Sequence, residues 1–432
     1  MTGGTALGAD TLQAQHATVL EALDPARMGP LLAAALGGED GTTCVVADAK
    51  YEPGRPATVL YRLGATLVHA TVPPPGQVAP GRLLPNGIGV TVFPVDPGLP
   101  TLPAVLDPVG LGSALALALG MRGRCRAEAR LVRYRPGRRA TFFVTLPGAA
   151  PPGTSYVAKV YHDGAKAAAV AAEGRVLEAL RLPAPLVLAP VVAHLPELAV
   201  VVQGHLPGRE LDVDLTDPVV LHRRGTDVGR AGQALAALHR GKVPAGRPRP
   251  VDRELHRFVG RAAAIRSVDP EVGEHLLELA HDLLEWCPEP GPPSLVHGDC
   301  KPSQFRVDGN RVAVLDLDHC GLADPAYDVG NFVSSLRQGA LRTDAPSGGR
   351  DSGATGAAEA LGATFMTAYL ERAQPVDAGE FTERVRFYVA VSLMRKALRA
   401  YARSPLALLP GQYVDDARRA AADRRGRAHG RH

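Results

Sequence analysis

Cysteines are few and scattered in this chain. The five present, Cys44, Cys125, Cys287, Cys300 and Cys320, form no CxxC pair in 432 residues. Neither a zinc site nor a disulfide framework is suggested. No uninterrupted apolar run reaches membrane-spanning length. The amino terminus lacks a charged segment followed by an apolar one. These absences predict a reduced, cytoplasmic protein with no membrane partner. Aromatic residues make up only 5% of the chain, so its cores must be built from Leu, Val and Ala. Lysine is rare too: Lys50, Lys159, Lys166, Lys242, Lys301 and Lys396 are all there are among 48 basic residues. The Arg excess, with abundant Ala, Gly and Pro, is what a GC-rich genome produces. The 44 acidic residues interleave with it, and no basic stripe carries interleaved aromatics. No nucleic-acid partner is expected. The one basic block, Arg418 to Arg431, reads as a solvated, flexible tail.

What is present is enough apolar residue, 46%, for real cores, in a chain too long for one of them. Two or three lobes are expected. The front of the chain contains a duplication. Leu23-Asp24-Pro25 recurs as Leu106-Asp107-Pro108, and Leu36-Gly37 as Leu119-Gly120. Tyr51-Glu52-Pro53-Gly54-Arg55-Pro56-Ala57-Thr58 recurs as Tyr134-Arg135-Pro136-Gly137-Arg138-Arg139-Ala140-Thr141. All three pairs share one offset of 83 positions. Each copy reads as an Asp-Pro helix start, an Ala/Leu helix ending at Gly, then strands joined at a Pro-Gly turn. Aligned to its end, the first copy places Ala70 where the second has Lys159. The sequence predicts strands over 129–134, 140–146, 156–161, 187–193 and 198–203. It predicts helices over 165–180, 231–239, 255–268, 270–286, 357–372 and 380–402. Residues 340–356 are Ser/Gly/Asp-rich and read as a mobile loop.

The chemistry concentrates in His297-Gly298-Asp299-Cys300-Lys301-Pro302-Ser303-Gln304 and in Leu315-Asp316-Leu317-Asp318. An acid in a tight loop, an amide five positions later and two carboxylates after a strand are what Mg²⁺ and a nucleoside triphosphate need beside a hydroxyl. On alternation alone, Asp316 and Asp318 fall on one face. Alone, each of these residues could equally be a cap, a turn or a solvated charge.

The chain resembles the aminoglycoside phosphotransferase and choline kinase group, of the protein-kinase-like superfamily, over roughly Arg122 to Tyr401. The pattern HGDxxxxN is met at His297, Gly298 and Asp299, with Gln304 in the Asn position. Asp316 and Asp324-Pro325-Ala326-Tyr327-Asp328 meet the later Asp pattern. Gly204 to Leu211 resembles the family's post-hinge segment, and Leu235 to His239 its helix before the catalytic region. The resemblance implies an α+β, bilobal protein-kinase-like fold with a small β-rich lobe and a large helical lobe. The expected domains are 1–105 (a degenerate duplicate of the small lobe), 106–204 (the small lobe), 205–405 (the large lobe) and 406–432 (the tail). The resemblance implies ATP and Mg²⁺ as cofactors. Asp299 is then the catalytic carboxylate, with Lys301 neutralising the moving phosphoryl group. Lys159 binds the nucleotide with Glu173 as its helix partner, and Gly137 and Arg138 cover the phosphates. Gln304, Asp316 and Asp318 are the metal ligands. Asp324 and Asp328 are expected to fix the catalytic loop.

Three functions compete at this stage. The first is phosphorylation of a hydroxyl on a small molecule such as an antibiotic or amino sugar. The second is phosphorylation of Ser or Thr in a ribosomally made precursor peptide. The third is a non-catalytic binding module. Asp252, Glu254, Glu271 and Glu274 are candidates to attract a cationic acceptor.

Overall fold

The computed structural model describes residues 9–38, 41–121, 123–147, 154–211, 215, 218–242, 248–344, 353–407 and 409–422. Its front half is the duplication made physical. Helices Pro25–Leu36 and Pro108–Ala118 start alike. Asp24 accepts from the Ala26 amide at 2.9 Å, and Asp107 from those of Val109 and Gly110 at 3.2 and 2.9 Å. A carboxylate cap followed by Pro satisfies the orphan amides of a helix start. Each helix leads into an antiparallel sheet. The first has the order Cys44–Lys50, Ala57–Leu63, Thr66–Val72, Gly89–Val92, Arg82–Leu83. The second runs Val191–Leu195, Val200–Gly204, Ser155–Tyr161, Arg139–Thr145, Glu128–Arg135.

Pairing register corrects one expectation. Lys159 lies opposite Thr141, and Thr58, the counterpart of Thr141, lies opposite Thr71. The position of Lys159 in the first copy is therefore Thr71, not Ala70. The two copies differ in length after their second strand, so alignment from the sequence end slips by one residue, and a one-residue slip changes the face.

The two sheets bury different partners. Phe142, Val144, Ala158, Val160, Val200 and Val202 form one core with Leu111 and Leu115. Val59, Tyr61, Val68 and Ala70 pack with Val19, Met28 and Leu32, and this core is continuous with that of the helical lobe. Tyr51 stacks on Tyr401 with centroids 6.4 Å apart. Asp48 pairs with Arg403 at 3.0 Å and Glu52 with Arg261 at 3.3 Å. The first sheet thus packs on the helical lobe and meets the second sheet around Phe93 and Asp96.

The helical lobe contains Pro218–His239, Val251–Arg266, Pro270–Trp286, Ala326–Asp344, Ala354–Ala373, Ala378–Arg403 and Leu409–Ala422. A hairpin, Phe305–Asp308 with Arg311–Val314, and a short pair, Ser294–Val296 with Gly321–Ala323, carry the sequence motifs. No helix among the described residues is long and apolar enough to cross a membrane. Two further expectations change. Helix occupies 340–344 and resumes at Ala354, and the rest of the expected loop, 345–352, lies outside the described residues. The expected flexible tail is helical over Leu409–Ala422. It buries Tyr413, Val414, Ala417 and Ala420, and Arg418 pairs with Glu278 at 2.6 Å. Amphipathic spacing outweighs the charge count there. Residues 423–432 lie outside the described residues.

Candidate active site

The strand Ser294–Val296 delivers the loop that starts at His297. Gly298 has φ +81, and a Cβ there would stand 2.2 Å from the His319 carbonyl oxygen. Only glycine tolerates both the conformation and the approach. Asp328, fully buried, fixes this turn. It accepts from the His297 amide at 2.5 Å, the Gly298 amide at 2.9 Å and His239 Nε2 at 3.1 Å. His239 Nδ1 in turn accepts from the Tyr369 hydroxyl at 2.8 Å. His297 Nε2 donates to the Leu315 carbonyl at 2.8 Å, which leaves Nδ1 to accept from the Asp299 amide at 3.2 Å. The imidazole thus ties the Asp299 turn to the segment carrying Asp316. Asp324 does something else. It accepts from Gly291 N, Ala326 N and Arg384 Nε, so it anchors the approach to the loop rather than the loop itself.

Asp316 and Asp318 converge on two cations of the second sheet. Lys159 Nζ lies 2.9 Å from Asp316 Oδ1 and 2.7 Å from Asp318 Oδ1. Arg139 grips Asp316 with both terminal nitrogens, each at 3.0 Å, and also donates to Asp318. The Tyr161 hydroxyl donates to Asp318 at 2.8 Å. The two acids do not alternate along a strand as expected. The strand ends at Val314, Asp316 takes the left-handed conformation with φ 57 and ψ 54, and Asp318 follows in a 3₁₀ turn. That turn, not the pleat, brings them together. A non-glycine residue in this region is strained unless its surroundings hold it. Here two cations do.

Charge compensation sets the ionisation of these groups. Burial alone raises a carboxyl pKa, yet Lys159 and Arg139 hold Asp316 well below the usual range and lower Asp318 as well. Asp299 is likewise raised by burial but held low by Lys301, whose Nζ is 2.7 Å from Oδ2. Burial and the Asp318 charge push the Tyr161 phenol up, so it stays a donor.

Of the residues anticipated, Asp299 and Lys301 form one ion pair, and Lys159, Asp316 and Asp318 form the cluster beside it. Gln304 is buried in the 3₁₀ turn Pro302–Gln304, where its backbone carbonyl accepts from the Leu315 amide at 2.8 Å. Glu173 is exposed, and the carboxylate partners of Lys159 are Asp316 and Asp318 instead. The neighbouring Gly174 is the residue turned to the sheet: a Cβ there would stand 2.6 Å from Val191 Cγ2. The Gly137 amide donates to Asp96 at 2.8 Å, just as the Gly54 amide of the first copy donates to Gln15 at 2.9 Å. Both turns are pinned by a side chain, so the Gly137 amide already has its acceptor. Arg138 is exposed. The cation in the site is its neighbour Arg139, which the motif reading passed over, together with Tyr161. The signal was available. Arg139 lies opposite Tyr161 and Thr141 opposite Lys159, so period-two alternation puts all four on one face.

Residues 131–369 match the phosphotransferase enzyme family. The chain belongs to that family. It is therefore a phosphotransferase. Among solved structures it is similar to a choline kinase from Cryptosporidium parvum, at 12% identity over 70% of this chain and 91% of that one, with a TM-score of 0.49. It is also similar to a macrolide 2'-phosphotransferase from Brachybacterium faecium, at 18% identity over 69% and 98%, with a TM-score of 0.44. An ethanolamine kinase from Plasmodium vivax aligns at 12% identity over 68% and 82%, with a TM-score of 0.45. No curated protein matches the chain.

Proposed function

We propose that this phosphotransferase moves the γ-phosphoryl group of ATP to a hydroxyl of a small molecule, with Asp299 as the catalytic carboxylate and Mg²⁺ as cofactor. The observation that carries this reading is the four-charge cluster of Lys159, Arg139, Asp316 and Asp318 next to Asp299. Two cations already paired with two acids make a neutral, preformed set that polyanionic phosphates can enter by exchange of partners. Carboxylates at Asp316 and Asp318 and the amide oxygen of Gln304 are hard oxygen donors of the kind Mg²⁺ takes. Bound there, the ion would neutralise charge on the terminal phosphates.

In the proposed step the acceptor oxygen bonds to the γ-phosphorus while the bond from that phosphorus to the β–γ bridging oxygen breaks. ADP leaves with that oxygen, and the acceptor proton passes to the Asp299 carboxylate and then to solvent. Asp299 serves chiefly to orient the hydroxyl, because such transfers have little covalent chemistry for a base to do. Its depressed pKa keeps it ionised for that task. Lys159 and Arg139 are placed to hold phosphate oxygens. Lys301 is placed to balance charge on the group in flight. Residues 1–105 act as a non-catalytic duplicate of the small lobe that braces 106–204 against the helical lobe 205–405.

Asp299→Asn is expected to keep Mg·ATP binding and to lower transfer from γ-labelled ATP by about 10²–10⁴-fold. Near-unchanged transfer in that variant rejects the assignment of the base.

A further inference from the structure

Every carboxylate oxygen of Asp316 and Asp318 already accepts from a donor of the chain. Asp316 Oδ1 takes Arg139 Nη1 at 3.0 Å and Lys159 Nζ at 2.9 Å, and Oδ2 takes Arg139 Nη2 at 3.0 Å. Asp318 Oδ1 takes Lys159 Nζ at 2.7 Å, and Oδ2 takes the Tyr161 hydroxyl at 2.8 Å together with Arg139. Asp299, the carboxylate of the neighbouring loop, is held by Lys301 at 2.7 Å. The cluster is also nearly dry. None of its four charged side chains is more than 16% exposed, so their charges act on one another with little screening by water.

This is a cation site with its cations built in. A single ammonium, Lys159 Nζ, touches both carboxylates, so the two acids stand close enough to share one ion. The left-handed backbone at Asp316 creates that spacing. Both acids are hard oxygen donors of the kind a divalent cation takes. They fit such an ion, but they cannot serve two partners at once. Two cations balance two carboxylates, so a bare divalent ion would either add its charge to a neutral, buried set or strip a bidentate guanidinium from its acid. Both courses are costly. A nucleoside triphosphate changes this balance, because its phosphate oxygens offer Lys159 and Arg139 other charged acceptors.

We propose that Arg139 and Lys159 are internal stand-ins for the metal. They hold Asp316 and Asp318 until the phosphates of the nucleotide draw them off, so that the divalent ion is taken up with the nucleotide and not alone. Arg139 then acts twice, as guard of the metal ligands and as phosphate contact. Tyr161 is neutral and serves to position Asp318; it has no part in the exclusion. This inference rests on the phosphotransferase reading and adds the order in which the site fills. Metal and nucleotide are then coupled ligands, and the coupling is reciprocal.

The test is titration of Mn²⁺ into the full chain without nucleotide, followed by the electron-spin signal of the free ion. Arg139→Gln and Lys159→Met each remove one built-in cation. Each should bind Mn²⁺ at least about tenfold tighter than the wild type, within the span of ordinary couplings between sites. Arg139→Lys keeps the charge and Tyr161→Phe removes a donor but no charge. Both should change the affinity by less than about fivefold, the lower end of such couplings. Mg·ATP titrated into Arg139→Gln and Lys159→Met should move the other way and bind more weakly, whereas a merely structural loss would weaken both ligands. A folded Arg139→Gln or Lys159→Met protein with no gain in Mn²⁺ affinity overturns the proposal, and so does an equal gain in Tyr161→Phe. Either result with normal Mg·ATP binding in the wild type sinks this inference alone. A wild type that binds no ATP in any form sinks the phosphotransferase reading beneath it as well.

Discussion

The two copies of the helix-and-sheet unit are nearly the same scaffold with different faces. Both start at an Asp-Pro cap, both turn at a Pro-Gly pair, and both pin that turn's amide with a buried side chain. The cations of the candidate site belong to the second copy. Its Lys159 and Arg139 stand where the first has Thr71 and Pro56. Only the second faces Asp316 and Asp318, while the first spends its surface on the helical lobe. A fold that tolerates duplication therefore does not duplicate a site. The site requires cations on one sheet face and acids on an opposing loop, and the second requirement is met once.

The comparison can be broken first at Arg139. Arg139→Gln leaves Lys159 as the one cation of the second sheet paired with Asp316 and Asp318, and should lower kcat/KM for ATP by about 10–100-fold, as loss of a preorganised charge contact does. Arg138→Gln, one residue away and exposed, should change it by less than about twofold. Equal effects in steady-state assays would return the turn to the phosphate-covering role that the motif suggested. A smaller effect, on stability alone, is expected at the joint between the copies. Asp96 accepts from the Tyr134 hydroxyl and the amides of Gly98 and Gly137, each at 2.8 Å. Asp96→Ala should cost about 1–3 kcal/mol in denaturant unfolding, because those buried donors lose their acceptor.

Least visible of all should be acidification over the mild range. Asp299, Asp316, Asp318 and Asp328 all have folded pKa values below their unfolded ones. A depressed carboxyl contributes stability that is full above the unfolded value, about 3.9, and is lost as pH falls below it. Thermal midpoints should therefore stay flat, as far as these four groups decide, from pH 7.5 to about 5, and fall below about pH 4. Burial lowers His69 and His319, so these bring their own loss below about pH 6.5; a midpoint with no further fall below about pH 4 contradicts the ion pairing described for the cluster.

Much of this was legible in the sequence, for identifiable reasons. The HGD loop is demanded by backbone geometry at Gly298 and by Asp328, so its residues appear as a contiguous motif. The helices of the large lobe announce themselves by periodicity; Pro270–Trp286 is found over the residues predicted. What was missed depends on which way a side chain faces. Glu173 sits on the helix Gly164–Ala179, whose approach to the sheet is set by Gly174, and no spacing rule reveals that contact. Arg138 and Arg139 are neighbours of identical type, and only strand register separates the exposed one from the buried one. The convergence of Asp316 and Asp318 depends on one left-handed residue, which sequence patterns do not encode. The helix Leu409–Ala422 was hidden because its arginines were weighed by number rather than by the face they leave to Tyr413, Val414 and Ala417.

The central claim is that the nucleotide site belongs to the second copy alone, through Lys159. Calorimetric titration of Mg·ATP into the wild type, Lys159→Met and Thr71→Val measures it most directly. The account predicts one ATP per chain in the wild type, the same affinity in Thr71→Val, and at least about tenfold weaker binding in Lys159→Met, the scale of a lost charge-assisted phosphate contact. Wild-type affinity in Lys159→Met, or a loss in Thr71→Val equal to that in Lys159→Met, would contradict it.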